Sequence, residues 1–585
     1  MSNSKPFRTV EEALDYFYTL SDDSADCIDF CQLPPDESGC LTDEEDINED
    51  NFEPVLPGDV CGRIEISGKN DDNEISLEDA FDPEKASTSH EQKSLKRKLK
   101  SKEKYVQHRW RKNTSFENIL ETKNIENISE MFPELVTLSP IEIFHKFITI
   151  EYLQHLSTMT ARYALQKGEV LTVDENDIGQ FFGLLLFSGY HQVPGEDLYW
   201  SAQEDLSGPI VSTVMPRNRF RKLKKFFHVI DNNTLALGDK MGKISPFYEE
   251  LERNFQQFGI FHPKLSIDES MVPYYGHHSA KMFIRGKPIR FGYKIWMLCS
   301  NTGYPYAMRI YSGKSSEKEN SPLGSRVVWD LLSCVKNAEK HEIFFDNFFS
   351  SHTLLTELYE KGFKATGTIR EFRTGRCPLK SPKEASKWQR GNFDYRSDGK
   401  VYICRWKDSA VVTIASNYLT HEPVCKTKRF CPAQKKKTDV SQPHLIKMYN
   451  EGMGGVDLLD RLLGSYRPMF RSKKWYWNLF SNALNMAVAA GWILHLHLQK
   501  GTTAELSHLT FRREVTLSLL RMKPKIHYVP GPRAHTSETL RQSDAHYLVP
   551  STQGRCAVCQ KNTKKQCFEC VKRLHEKCFP NYHGQ

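Results

Sequence analysis

The chain has 585 residues, 39% of them hydrophobic and 26% charged, with a formal net charge of +7. That length accommodates three or four domains, with sizeable cores beside a disordered stretch. Ten of the 15 cysteines are scattered and five crowd into 556–578, which argues against a secreted disulfide scaffold and for a reducing compartment. No basic and then apolar leader opens the chain, and its apolar runs fall short of the roughly 20 residues of a bilayer span, so neither secretion nor a membrane role is expected.

Residues 1–90 hold 25 Asp/Glu against 5 Lys/Arg, and the remainder holds 75 basic against 48 acidic residues. The acidic stretch predicts disorder, with one short helix around Val10–Leu20. Residues 93–112, KSLKRKLKSKEKYVQHRWRK, invert the charge and read as a nuclear import signal, a DNA-touching arm or a solvated linker. A positive body of this size points to a polyanion partner, most simply nucleic acid, although an ordinary basic surface carries the same charge.

From about 115 the pattern turns helical. SPIEIFHKFITIEYLQHLSTMTARYALQK has apolar residues at i, i+3, i+4 spacing, with Ser139 and Pro140 suited to N-cap and N1. Asp174–Tyr190 and Ser245–Gln257 predict two more helices. At about 264 short strands begin: LSIDESMVPYY, RFGYKIWMLCS and YAMRIYS, divided by Gly or Asn turns. A helix, the apolar strand HEIFFDNFF, a helix capped by Ser351 and ended by Gly362, and the strand KATGTIR follow, giving β-β-β-α-β-α-β. Residues 373–443 interrupt with a small β-rich insertion. Helices resume in HLIKMYNEGMGGVDLLDRLLGSY, in KKWYWNLFSNALNMAVAAGWILHLHLQ and in FRREVTLSLLRM. A Pro, Gly and His-containing linker, KPKIHYVPGPRAHTSE, then leads to a cysteine-rich tail.

Carboxylates stand at three of these element ends. Asp268 lies in the first strand of the mixed unit, Asp346 closes an apolar run, and Asp457 sits near a helix start. Asp460 lies three residues on and shares its helix face. Hard oxygen ligands fixed at strand ends suit Mg²⁺, and two such ions about 3.5–4 Å apart can assist phosphodiester chemistry. With 73 acidic residues in the chain, a turn residue at Asp268, a helix cap at Asp346 and an N-cap at Asp457 are equally open on spacing alone. RPMFRSKKWYWNLF interleaves basic and aromatic residues. Lys473 and Lys474 are candidates for phosphate contacts and Trp475 for stacking, with a core helix as the alternative for Trp477. Arg370 and Arg373, after the last strand, are further candidates for DNA contact. GMGGVD follows no strand, so it is no dinucleotide loop, and SGKSS has Met308 where a Walker A glycine would stand.

The tail, GRCAVCQKNTKKQCFECVKRLHEKCFPNYH, carries Cys556 and Cys559, Cys567 and Cys570, His575 and Cys578, and His583. Paired thiolates at this spacing are zinc ligands, and about 30 residues cannot build a core without metal. Seven ligands exceed one Zn²⁺ site and fall one short of two. A redox thiol pair is the other reading.

MVPYYG, FIRGKPIRFGYKIW, FFDNFFSS, ATGTIR and YNEGMGGVDLLDR, in this order and at these separations, resemble the piggyBac transposase family. The likeness runs from about 130 to the C-terminus. It implies an RNase H-like catalytic domain with an α/β mixed sheet, in which Asp268, Asp346 and Asp457 match the catalytic triad and Asp460 the additional carboxylate. The domains it implies are an acidic N-terminal region with a basic end (1–114), a helical dimerisation and DNA-binding domain in two parts (115–263 and 460–535), a catalytic domain (264–372 with its last helix in 444–459), an insertion (373–443) and a zinc-binding tail (550–585). In the family's tail two Zn²⁺ are cross-braced, and His546 is then the candidate eighth ligand. The implied activity is Mg²⁺-dependent strand cleavage and transfer on double-stranded DNA, with two catalytic ions, hairpin ends, TTAA targets, a homodimer and a nuclear location. The alternatives are a non-catalytic DNA-binding or chromatin protein that keeps the fold, and a tail that reads protein partners.

Overall fold

The computed structural model of the chain describes residues 108–116, 123–203, 205–206, 208–284, 289–313, 321–431, 435–524 and 546–583, with the backbone of Ile28–Gln32 and Ile64–Gly68. The helix expected around Val10–Leu20, the basic block before residue 108 and residues 525–545 lie outside them. The chain divides into two units, Met1–Pro524 and Lys525–Gln585.

In the first unit, the run expected as one helix from Ser139 is two. Helix α1 (Pro140–Phe147) starts as read, and the backbone N–H of Ser139 donates to Glu142 at 2.8 Å. Ile148 is extended, and Thr149 begins α2 (Ile150–Gln166) by accepting from the Tyr152 N–H at 3.1 Å. A threonine hydroxyl that caps the next turn competes with helix continuation, and apolar periodicity does not register it. Helix α3 (Glu175–Ser188) is capped by Asp174, which accepts from the N–H groups of Asn176 and Asp177. Helix α4 (Arg217–Phe226) is locked to α3 by a buried Arg219–Asp177 ion pair at 3.0 Å, and α5 (Ser245–Phe255) follows.

The strands are β1 (Ile28–Gln32), β2 (Ile64–Gly68), β3 (Lys264–Pro273), β4 (Met282–Ile284), β5 (Phe291–Ser300), β6 (Pro305–Ile310), β7 (Glu342–Phe345), β8 (Lys364–Thr368), β9 (Phe393–Ser397), β10 (Tyr402–Lys407) and β11 (Val411–Ser416). They form one mixed sheet ordered β2-β1-β4-β5-β3-β7-β8-β11-β10-β9, with β6 on β5. The β3–β7 and β7–β8 pairs are parallel and the other pairs antiparallel. Helices α6 (Leu323–Leu332) and α7 (His352–Glu360) make the crossovers. The expected order of elements holds, with short β4 as an addition.

One expectation is corrected and another refined here. The acidic residues 1–90 were expected to be disordered apart from one short helix, yet β1 and β2 pair antiparallel and β1 joins β4. IDFCQ and IEISG alternate apolar and polar residues inside the acidic stretch, and average composition conceals such short runs. Residues 373–443 carry β strands, as expected of a small β-rich insertion; β11 pairs with β8 and extends the sheet, while the hairpin β12 (Cys425–Cys431) with β13 (Lys436–Gln442) stands as a separate pair.

The stretch HLIKMYNEGMGGVDLLDRLLGSY is likewise two helices, α8 (His444–Gly452) and α9 (Gly455–Ser465), parted at Gly454, whose φ is +97°. Glycine reaches that left-handed conformation without penalty. Because α9 runs unbroken through Ser465, the expected boundary between 459 and 460 falls inside a helix. Helix α10 (Trp477–Gln499) is long and apolar enough to cross a membrane by length and composition, but 89% of its apolar window is buried within the protein. It packs with α1, α5, α9 and α11 (His508–Leu520) in a core shared with the sheet.

In the second unit, β14 (Leu548–Arg555) pairs with β15 (Asn562–Cys567) across a bulge, and a short helical turn closes at His583. Among the described residues of this unit, the buried apolar cluster is Cys556, Cys567 and Leu574.

Candidate active site and metal centres

Side chains alternate along a strand, so Ser266, Asp268 and Ser270 share one face of β3. Asp268 is in the strand proper, 9% exposed, and is no turn residue. The parallel register ends with Ile267 beside Phe345, so the next residues on the two strands, Asp268 and Asp346, are neighbours. Asp346 turns the chain: its carboxylate accepts from the Phe348 N–H at 2.9 Å and its carbonyl from the Ser350 hydroxyl at 2.9 Å. Ser351 caps α7, accepting from the Leu354 N–H at 3.1 Å, so Asp346 is not the cap of that helix.

Helix α9 brings the other carboxylates. A Cβ on Gly455 would stand 1.9 Å from the Ser300 carbonyl oxygen, and the Gly455 N–H donates to Ser266 Oγ at 3.1 Å. Only glycine lets the helix start this close to the sheet. Asp457 lies exposed in the first turn, with Gly454 as N-cap, so it is not the capping residue. Asp460, on the same helix face, accepts from Ser270 Oγ at 2.6 Å. The helix therefore runs over the face of β3 that carries Asp268.

Two buried groups register the convergence electrostatically. The Tyr449 phenol is pushed up first by burial and then by the charges of Asp346, Asp268 and Asp457. The Cys299 thiol is pushed up by burial and then by Asp460 and Asp268. Asp268 acts on both, as a central carboxylate would. Oxygen donors of this charge, rigid on β3 and reachable by solvent at Asp457, fit hard divalent cations.

Arg370 and Arg373 flank this opening. Arg370 Nε donates to Asn347 Oδ1 at 3.1 Å and Arg373 Nη1 to the Phe348 carbonyl at 2.6 Å. Their loop is tied back by the fully buried Arg405, which pairs with Glu371.

The basic-aromatic run after α9 is placed differently from expectation. Lys474 is 3% exposed, and its ammonium donates to the carbonyls of Lys224, Lys225 and Phe227 at 3.0, 2.7 and 3.3 Å. It closes the C-terminal end of α4, where a cation satisfies orphan carbonyls and complements the helix dipole. Trp475 is buried and stacks on His278 at 4.1 Å. Neither is an exposed DNA contact. Lys473 is half-buried, and Trp477 is core, its Nε1 donating to the Phe470 carbonyl at 2.8 Å.

Ser270, Tyr449 and Arg467 escaped the sequence reading. Burial lowers the Arg467 pKa while the Asp460 charge raises it, which sets a guanidinium beside the carboxylate cluster. The β12–β13 hairpin also exposes Lys426, Lys428, Lys435, Lys436 and Lys437, a signal present in the basic run of the insertion.

In the tail, Cys556, Cys559, His575 and Cys578 form one set with ligand atoms within 4.8 Å of one another, and His546, Cys567, Cys570 and His583 form a second. Alternate pairs along the chain thus share a site, and His546 completes the second. Its Nδ1 lies 3.2 Å from Cys567 Sγ and 3.1 Å from Cys570 Sγ, because β14 begins beside Cys567. The His575 Nε2–H donates to the Asn562 carbonyl at 2.9 Å, which leaves Nδ1 facing Cys559 Sγ at 3.3 Å. Such an outer hydrogen bond orients metal-binding histidines. Burial alone would raise the Cys556 thiol, but the N–H groups of Cys559 and Val558 and the His575 contact bring it down to about 6. Sulfur and nitrogen donors in two fours fit tetrahedral zinc.

Comparison with known proteins follows this geometry. A family model described as Transposase IS4 matches residues 139–492. The chain is 34% identical over 460 residues to the Homo sapiens PiggyBac transposable element-derived protein 3, covering 77% of each. It is 33% identical over 566 residues to the Homo sapiens PiggyBac transposable element-derived protein 2, covering 94% of this chain and 92% of that protein. The cryo-EM structure of a piggyBac transposase synaptic complex with hairpin DNA matches with a TM-score of 0.55 at 22% identity, over 75% of this chain and 95% of that one. At that identity the structural likeness is one of fold.

Proposed function

This chain belongs to the piggyBac family of transposases, and on that footing we propose that it cleaves and joins DNA strands at one carboxylate site. The observation that supports the proposal is the approach to Asp268 on β3 of Asp346, at the end of β7, and of α9 with Asp457 and Asp460, whose charges act together on Tyr449 and Cys299. The strand order β6-β5-β3-β7-β8 supports an RNase H-like catalytic domain, into which the insertion adds β9–β11.

Asp268, Asp346 and Asp457 would hold Mg²⁺, with Asp460 steadied by Ser270, and the bound metal would supply charge stabilisation to a phosphodiester undergoing displacement. Arg370 and Arg373 orient the phosphate backbone. Water attacks phosphorus at the element end and the P–O3′ bond breaks, leaving a 3′-hydroxyl. That hydroxyl then attacks phosphorus on the opposite strand, whose P–O3′ bond breaks, so a hairpin closes and the flanking DNA leaves with its own 3′-hydroxyl. Water reopens the hairpin, and the freed 3′-hydroxyl attacks phosphorus at a TTAA target, where a target 3′-hydroxyl leaves. The helices in 115–263 and 460–535 are assigned to dimerisation and to duplex binding, and the lysines of the β12–β13 hairpin add a basic surface. The two tail sets would hold structural Zn²⁺, and the site of action is nuclear DNA.

A second reading, a DNA-binding protein that has left transposition behind, is favoured by one observation: both Homo sapiens relatives carry the name element-derived. Intact carboxylates favour the first reading. Excision of a marker flanked by matching element ends, in cells expressing the chain, separates the two. Precise excision supports the enzyme, and binding to the ends without excision supports the second reading.

A further inference from the structure

Among the described residues, one cluster of metal-ligating side chains lies outside both the carboxylate site and the tail. His108 Nδ1, His352 Nε2 and an Asp398 carboxylate oxygen lie within 4.8 Å of one another. They come from three separate parts of the chain: the end of the basic segment, the first turn of α7 and the turn between β9 and β10. We propose that these three side chains form a divalent transition-metal site, of the zinc class, that clasps the insertion and the basic segment to the arm following Asp346.

Four observations support a built site. Asp398 is aimed: its Oδ1 accepts from the N–H groups of Lys400 at 3.0 Å and Val401 at 2.8 Å, which leaves Oδ2 to the histidines. His352 Nε2 reaches that oxygen at 2.7 Å. His108 Nδ1 faces the same oxygen at 3.6 Å, too long for a hydrogen bond but close to the donor spacing around a tetrahedral ion with metal–ligand bonds of about 2.0–2.1 Å. The His108 ring also lies against that of His352, with centroids 4.1 Å apart, so the two imidazoles approach the Asp398 oxygen side by side. The surroundings are fixed as well. Trp110 packs edge-on to His352 at 5.4 Å, and its Nε1 donates to the Gly375 carbonyl at 3.3 Å. Arg111 and Ser397 exchange two backbone hydrogen bonds of 2.8 Å. His352 and Asp398 are 5% and 8% exposed and His108 is 29% exposed, so ligands on two sides are shielded while the third closes the site from solvent. Two imidazoles and one carboxylate are a borderline donor set that favours zinc over magnesium.

The consequence is mechanical. His352 follows Asp346 by six residues, through Ser350 and Ser351, which hold the turn and the cap. A metal here steadies that arm from its far end and requires the segment around His108 to be in place.

The test uses full-length protein dialysed against buffer with micromolar Zn²⁺ and then analysed for bound metal. His108→Ala, on an exposed segment, should bind about one equivalent less than wild type, and so should Asp398→Asn. His108→Cys, which supplies another zinc ligand, should restore it. Zinc should also slow trypsin cleavage after Arg109 and Arg111 in wild type but not in His108→Ala. Equal zinc content in wild type and His108→Ala, or zinc-independent cleavage in both, overturns the proposal and leaves a His–Asp hydrogen bond.

Discussion

Gly455 shows how a single missing atom places a catalytic group. Its Cβ would collide with the Ser300 carbonyl at 1.9 Å and with Ser266 Oγ at 2.7 Å, and backbone cannot move aside as a flexible side chain can. Gly455→Ala should lift α9 and with it Asp457, destabilising the protein by at least the roughly 1–3 kcal/mol of overpacking and abolishing cleavage, while Gly464→Ala, where a Cβ meets nothing within 4 Å, should leave both intact. Thermal unfolding and strand cleavage of the two variants decide it. Lys474 makes the opposite point. Its sequence context, between basic and aromatic residues, is that of a phosphate contact, and only the chain's return past α4 reveals three carbonyls around its ammonium. Lys474→Ala should therefore destabilise the fold and leave the salt dependence of DNA binding unchanged. Arg370→Ala and Arg373→Ala should each flatten the slope of log K on log salt by about 0.9 if they touch duplex phosphate, which titrations at several salt concentrations measure. Of the carboxylates, Asp346 is conspicuous because it halts an apolar run, but the set as a whole was legible only through the motifs that resemble the piggyBac family. Ser270 and Tyr449 were not, since ordinary polar residues acquire their meaning only from what packs over them.

At the level of elements, the tail carries the sharpest expectation. Its apolar cluster is three residues, so folding there depends on metal. A chelator or Cys567→Ser should unfold 546–583 and leave the first unit cooperative, and metal analysis should assign about two Zn²⁺ to this segment, one for each of its four-ligand sets. Because these thiols bind metal as thiolates, zinc retention should fall as pH drops and protons compete for them. The paired Cys and His spacing announced these sites, but His546 became a ligand candidate by geometry only because β14 starts opposite Cys567. Likewise the break at Ile148–Thr149 and the merging of β11 with β8 were hidden, because a capping hydroxyl and a strand pairing are not periodic features. In the helical region Arg219 and Asp177 form a buried pair. Removing one partner leaves the other charge without compensation, so Arg219→Ala should cost about 3–5 kcal/mol.

Across the whole molecule, several histidines are held neutral by burial. His262 and His508 are lowered to about 3 and His278 to about 4, each first by desolvation. In the unfolded chain these rings take a proton near 6.5. Between pH 6.5 and 4 the unfolded state binds protons that the folded state does not, so stability is complete above that window and falls as pH drops through it. The slope is about 1.4 kcal/mol per pH unit for each ring. Denaturant titrations at pH 7 and pH 5 should reveal the loss, and His508→Phe or His262→Phe should reduce the slope even if it lowers stability overall.

The direct measurement of the active-site assignment is strand cleavage of labelled element ends in Mg²⁺, paired with gel shift on the same DNA, for wild type and for Asp268→Asn, Asp346→Asn and Asp457→Asn. Asparagine keeps the shape and removes the charge that holds a hard cation, and groups that act as a unit fail together. Wild type should cut, each variant should lose cleavage while binding the ends as well as before, and Asp460→Asn should be impaired less completely. Cleavage that survives any of the first three substitutions would remove that residue from the site, and a wild-type protein that binds the ends yet never cuts in Mg²⁺ or Mn²⁺ would contradict the assignment of catalysis to this chain.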